Sequence, residues 1–201
     1  MSLVKTVVND VKTKADKAWS FTKKMVILGG AWGLCFSLVT IGRLGVAFDY
    51  DDTLVFSTPA FQKAFASGTV PYSPAFWEIV NNAYDLEARK PLVWGAAWVF
   101  RVFGFKVVVI SSRPPHGGEA LRKEWRYLAT DFEFAGGSEG KHRLLKKGRY
   151  VLYVGDSDSD IAEGRRAKVF PVRVKRSPKS TYKEDYHPGS LGEIVIPFTE
   201  L

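Results

Sequence analysis

Val46-Ala47-Phe48-Asp49-Tyr50-Asp51-Asp52-Thr53 is an apolar run that stops abruptly on carboxylates. Its short, β-branched and aromatic beginning reads as a strand, Gly45–Tyr50, buried on both faces. Three further runs of the same kind follow: Lys106–Ser111 (KVVVIS), Tyr150–Gly155 (YVLYVG) and Val169–Val174 (VFPVRV). Longer helix-like stretches separate them. Strand alternating with helix predicts an α/β fold, a Rossmann-like parallel sheet with helices on both faces. Three of the four strands run into polar residues: Asp49 and Asp51, Ser111 and Ser112, then Asp156, Asp158 and Asp160. In open α/β sheets ligands bind beyond the carboxyl ends of the strands, so these termini are expected to converge on one site.

The residue types narrow the chemistry. Asp49 and Asp51, two apart, face the same way on an extended strand and repel each other unless a cation lies between them. Asp156 and Asp160 offer further oxygens. With one cysteine, Cys35, and His116, His142 and His187 scattered, an all-oxygen set points to Mg²⁺ rather than zinc or copper. The Asp156-Asp158-Asp160 spacing imitates a calcium loop, but Ile161 stands where that loop needs glycine. Lys141 adds a fixed positive charge and Ser111 a hydroxyl. Carboxylates, a hard cation, a lysine and a hydroxyl suit a phosphoryl group, whose transfer is mostly positioning and charge neutralisation. Alternation turns Asp52 away, so it and Asp158 are read as solvated or capping residues. Trp94, Trp98, Phe100 and Phe103 recur at helical spacing and are read as core.

These residues carry a family resemblance. The strand ending in D-x-D-x-T at Asp49–Thr53, followed in order by Ser111, Lys141 and Gly155–Asp160 (GDSDSD), resembles the four motifs of the haloacid dehalogenase superfamily. A closer likeness is to bacterial class B acid phosphatases, through Phe48–Phe61, Pro74–Asn82, Gly155–Ile161, Ser180–Lys183 and Pro188–Ile196. It covers about residues 45–201. The resemblance implies a small helical cap (about 54–104) on a phosphatase domain (42–201). It implies Asp49 as nucleophile and Asp51 as general acid and base. Mg²⁺ would be held by Asp49, the main-chain carbonyl of Asp51 and Asp156, with Asp160 nearby. Ser111, Arg113 and Lys141 would bind phosphate, and Phe61, Trp77 and Tyr182 would form an aromatic substrate pocket. The implied reaction is hydrolysis of small phosphomonoesters, nucleoside monophosphates among them, with phosphate transfer to other alcohols. Ser111-Ser112-Arg113 departs from the family's usual Thr-Gly-Arg, keeping the hydroxyl but stiffening the turn. A homo-oligomer is admitted, without carrying the family's tetramer over to so altered an N-terminal region.

With 201 residues, 46% of them hydrophobic and 25% charged, the chain has room for one ordinary domain and an appendage. Its +8 formal charge suits anionic partners, yet residues 1–24 hold six lysines against two aspartates. There Val4, Val7, Val8, Val11, Ala15 and Trp19 form the stripe of a basic amphipathic helix that lies either on lipid or on its own protein. Residues 25–41 carry no charge and are expected to form a membrane anchor helix, or else a helix docked on the domain. The anchor reading keeps the N-terminus cytoplasmic and the catalytic domain extracytoplasmic; docking leaves a soluble cytoplasmic protein. Two other function classes stay open: a catalytically idle, tethered binding module, and a nucleic-acid 3′-phosphatase. No nucleic-acid-binding motif is present, so nucleic acid is not an expected partner.

Overall fold

The computed structural model describes residues 2–181 and 184–200, with backbone alone for 2–11, 13–18, Cys35, Leu38 and Val39. The chain divides into two units, Met1–Ile41 and Gly42–Leu201. The first is one continuous helix, α1 (Ser2–Ile41). The side chains of the stripe from Val4 to Ala15 lie outside the described residues. Among the described residues no helix is long and apolar enough to cross a membrane. That overturns the anchor expected at residues 25–41, and with it the membrane partner and the membrane-anchored placement. The physical reason is dilution: the uncharged run falls short of about 20 residues and includes Gly29, Gly30, Gly33, Ser37 and Thr40.

The second unit is built on a parallel sheet. β1 (Gly45–Asp49) lies between β4 (Lys106–Ser111) and β6 (Tyr150–Gly155); β5 (Asp131–Phe134) lies outside β4, and β7 (Phe170–Val174) and β8 (Ile194–Ile196) lie outside β6. All five pairings are parallel. The chain leaves β1 toward β4 and β5, then returns to β6 on its other side, so the strand order reverses at β1. Such a switch point opens a crevice at the strands' carboxyl ends. Register sets its contents: Asp49 pairs with Ile110 and Phe48 with Val154, which brings Ser111 and Asp156 one step beyond Asp49 on either side.

Alternation along β1 divides the core. Val46, Phe48 and Tyr50 face a layer formed by α4 (Pro91–Val102) and α5 (Glu119–Trp125), where Val93, Ala97, Leu121 and Trp125 are buried. Ala47 faces the opposite cluster with Val108, Ile110, Tyr153 and Leu145 of α6 (Ser138–Lys147). Burial of each large apolar side chain stabilises the fold by roughly 1.5–3 kcal/mol. Trp94, Trp98 and Phe100 pack on the first cluster as expected. Phe103 instead caps the end of α4 and is exposed. α4 thus packs on the sheet, and a separate layer follows β2. It consists of α2 (Thr58–Ala66) and α3 (Pro74–Asn82), joined by the cluster of Phe61, Ala64, Phe76 and Val80. Asn81 donates to the carbonyls of Pro114 and His116 at 2.9 and 2.8 Å, tying α3 to the segment after β4.

Two short strands, β2 (Val55–Phe56) and β3 (Ala88–Arg89), pair antiparallel beside the turn that follows β1. Lys90, next in sequence, is buried and donates to the main-chain oxygens of Asp52 at 2.8 Å and Lys175 at 2.6 Å. It joins the turn after β1 to the end of β7. Burial pushes its ammonium from 10.5 down to about 8, against the pull of Asp156 and Asp52. Between those values the unfolded chain binds more protons than the folded one, so stability should rise with pH across this window. The full shift corresponds to about 3 kcal/mol.

Close packing makes two glycines opposite in character. A Cβ on Gly140 would sit 1.8 Å from the carbonyl oxygen of Ala135, whereas one on Gly95 within α4 would meet nothing within 4 Å. Urea unfolding should therefore show Gly140→Ala destabilised by about 1–3 kcal/mol and Gly95→Ala stabilised by about 0.5–1 kcal/mol. Equal effects would contradict the packing of α6 on the β5–α6 connection. The same measurement at pH 8 and pH 10 should show wild-type stability rising relative to Lys90→Met; parallel curves would contradict an ammonium pushed down by burial.

Candidate active site

Asp49 ends β1, and the backbone turns immediately: the amides of Leu54 and Val55 both donate to the carbonyl of Tyr50, with Asp52 at φ 52°. Asp49, Asp51 and Asp52 are all buried, yet each has a different partner.

Asp49 belongs to an acidic cluster with Asp156 and Asp160, one carboxylate oxygen from each lying within 4.8 Å of the others. Lys141, in the first turns of α6, donates to Asp49 at 2.6 Å and to Asp160 at 2.7 Å. Tyr153 donates to the same Asp160 oxygen at 2.7 Å. The other Asp160 oxygen accepts from the Ser157 amide and hydroxyl, closing a capping box at the start of α7 (Asp158–Arg166). Gly155 makes this fold-back feasible, since a Cβ there would lie 2.4 Å from Cβ of Asp160. Asp156 accepts from Arg176 at 2.6 Å and Thr53 at 3.3 Å, while Arg173 holds its main-chain oxygen at 2.6 Å.

Burial dominates the electrostatics. It pushes the Asp49 carboxyl well above the usual carboxylate range despite Lys141, with Asp160 and Asp156 adding repulsion. Burial and the neighbouring Asp160 take Asp156 up to about 7. For Asp160 burial works in the same direction, but Lys141, Tyr153 and Ser157 outweigh it and hold the group below its ordinary value. Repelling, buried, all-oxygen donors fit a hard divalent cation, which would relieve that repulsion.

Asp51 is not in this cluster. Its carboxylate takes a forked contact from Arg113, with Nε 3.1 Å from both oxygens and Nη2 2.6 Å from one. Its side chain is thus committed to Arg113. The Ser111 hydroxyl lies 3.4 Å from Asp51 and accepts the Arg113 amide at 3.1 Å. Arg113 also reaches Glu87, which precedes β3, at 2.5 Å. Its Nη1 is buried without a hydrogen-bond partner among the described residues.

Asp52 is buried, not solvated, because the segment after β7 folds onto it. Ser180 donates to its carboxylate, and the Thr181 amide donates to Thr58 at 3.1 Å. These contacts place that segment against a cavity of about 1110 Å³ whose walls include Phe61, Phe65, Tyr72, Trp77, Thr181 and Glu184. Phe61 and Trp77 meet edge to face with ring centroids 5.9 Å apart. Tyr182, the third expected aromatic, lies outside the described residues. Sequence reasoning therefore brought Asp49, Asp156, Asp160, Lys141, Ser111 and Arg113 to one end of the sheet. It missed Glu87, Asp52, Arg176 and Glu184. Only Ser180–Lys183, in the family-like stretch, signalled that the late segment approaches the site.

No protein-family model matches the chain. Among curated proteins, the class B acid phosphatase of Klebsiella pneumoniae (strain 342) is 34% identical over 185 residues, covering 80% of this chain and 75% of that protein. That of Citrobacter rodentium (strain ICC168) is 32% identical over 180 residues, covering 78% and 73%. Solved structures of similar fold include CbbY from Rhodobacter sphaeroides in complex with phosphate, at TM-score 0.52 and 14% identity over 77% of this chain and 93% of that one. Another is a predicted phosphoglycolate phosphatase from Haemophilus somnus 129pt, at TM-score 0.51 and 16% identity over 77% and 94%. At those identities the structural likeness speaks for the fold, whereas the sequence relatives reach further: the chain belongs to the class B acid phosphatase family.

Proposed function

We propose that this phosphomonoester hydrolase works through an aspartyl-phosphate on Asp49, with Mg²⁺ as its metal. The observation that carries the reading is the buried triad of Asp49, Asp156 and Asp160 bridged by Lys141, at the switch point of the sheet. Asp49, Asp156 and Asp160, with the main-chain carbonyl of Asp51, would hold the cation, which supplies positive charge against the carboxylates and the phosphoryl oxygens. Asp49 attacks phosphorus as the bond to the ester oxygen breaks, and Asp51 gives its proton to that leaving oxygen. Asp51 then takes a proton from water, which attacks the aspartyl-phosphate, releasing phosphate and restoring Asp49. Lys141, Ser111 and Nη1 of Arg113, which has no partner among the described residues, are the donors for phosphoryl oxygens. A second alcohol in place of water would receive the phosphoryl group.

The aromatic cavity gives the substrate class. Phe61, Phe65, Tyr72 and Trp77 offer flat apolar walls suited to an aryl or nucleoside leaving group. A catalytically idle module has no reason to keep every one of these groups in contact, and the buried cations Arg113, Lys141 and Arg173 are paired with the domain's own carboxylates.

Residues 42–201 or the full chain should hydrolyse p-nitrophenyl phosphate and nucleoside monophosphates, lose activity in chelator and regain it with Mg²⁺. Asp49→Asn should reduce kcat by about a thousandfold or more. Turnover by Asp49→Asn close to wild type would overturn the covalent mechanism, and full activity in chelator would overturn the metal.

A further inference from the structure

The arginine after β4 has its far end held by a residue that neither the motifs nor the mechanism uses. Glu87 sits between the 3₁₀ turn Tyr84–Leu86 and β3, at the edge of the small antiparallel pair. Its side chain is 1% exposed, as is that of Arg113. One Glu87 oxygen accepts from Arg113 Nη2 at 2.5 Å, and the other accepts from the Tyr50 hydroxyl. Tyr50 lies between Asp49 and Asp51 in sequence, and the Arg113 guanidinium stacks 4.9 Å from its ring centroid and 5.3 Å from that of Phe61. Asp51, Arg113, Glu87 and Tyr50 thus form a closed circuit through side chains and the β1 backbone.

A solvated carboxylate on a surface loop would add little to such a circuit, but this one is out of water. Arg113 alone could pivot about Asp51. With Glu87 also holding Nη2 and the Tyr50 and Phe61 rings close to it, the guanidinium has one orientation, and its fork gives Asp51 one orientation in turn. A carboxyl group that delivers a proton to a leaving oxygen must be held in such a geometry, since misplacement by about 1 Å can cost about a hundredfold in rate.

From this geometry we infer that Glu87 is a positioning residue for Asp51, acting through Arg113 and locked by Tyr50. The inference rests on Asp51 being the general acid of the proposed mechanism.

The test uses leaving-group dependence in the full chain with Mg²⁺. p-Nitrophenol leaves with little help, whereas an alkyl alcohol needs its proton, and kcat/KM reports the steps through phosphoryl transfer. Glu87→Gln should lower kcat/KM for an alkyl phosphate by about tenfold or more while changing that for p-nitrophenyl phosphate by about twofold at most. Tyr50→Phe removes one hydrogen bond of the circuit and should show the same signature more weakly, which keeps the test intact if Glu87→Gln does not fold. Asp51→Asn is the reference. If it reduces both substrates equally, the acid role of Asp51 is wrong and the inference falls with it. If Asp51→Asn shows the leaving-group signature but Glu87→Gln or Tyr50→Phe lowers both substrates alike, or neither, the positioning role alone is overturned.

Discussion

Asp49, Asp156 and Asp160 are held out of water with their oxygens within 4.8 Å of one another, and the surrounding structure answers that repulsion. Like charges in a low-dielectric interior cost several kcal/mol unless cations and donors meet them closely. Lys141 arrives from α6, Arg173 from β7, Arg176 from the segment beyond it, and Tyr153 and Ser157 supply neutral donors. No single element provides this set. The parallel sheet does so by ending β1, β4 and β6 at one level, and the tight approach of Gly155 to Asp160 lets α7 begin inside the site. Fold and chemistry share one constraint: each strand must stop where its polar residue is needed.

The same constraint gives the two aspartates after Phe48 different characters. Asp49, faced by two other carboxylates and a lysine, is poised to be relieved by a cation. Asp51, only two residues on, is gripped by a guanidinium. Two residues apart in sequence, they meet different neighbours because Arg113 follows β4 on one side of β1 and Asp156 follows β6 on the other. The net charge takes on a local meaning as well: +4 lies in residues 1–24, and Lys141 and Arg176 of the domain are matched to its acids rather than displayed to a polyanion.

What the sequence made legible follows from how locally each signal is encoded. β4 and β6 match the expected Lys106–Ser111 and Tyr150–Gly155, because strands buried on both faces announce themselves as continuous apolar runs. β5 was missed, since Asp131-Phe132-Glu133-Phe134 alternates and has only one neighbour. β8, three residues long, hides in a glycine-rich stretch. Asp52 was read as solvated from strand alternation alone, but Ser180, 128 residues away, covers it. Glu87 and Arg176 share that history, their roles being set by contacts between distant segments. The uncharged stretch 25–41 failed for a different reason. Absence of charge is a weaker property than apolarity, and its glycines and hydroxyls made the difference.

The central claim is that phosphorus becomes covalently bound to Asp49. Rapid acid quench of the turning-over enzyme, followed by peptide mass spectrometry, tests it directly. The account expects the mass of one phosphoryl group on the peptide containing Asp49, absent from Asp49→Asn. Phosphoryl label on any other residue, or none at all while hydrolysis proceeds, would contradict it.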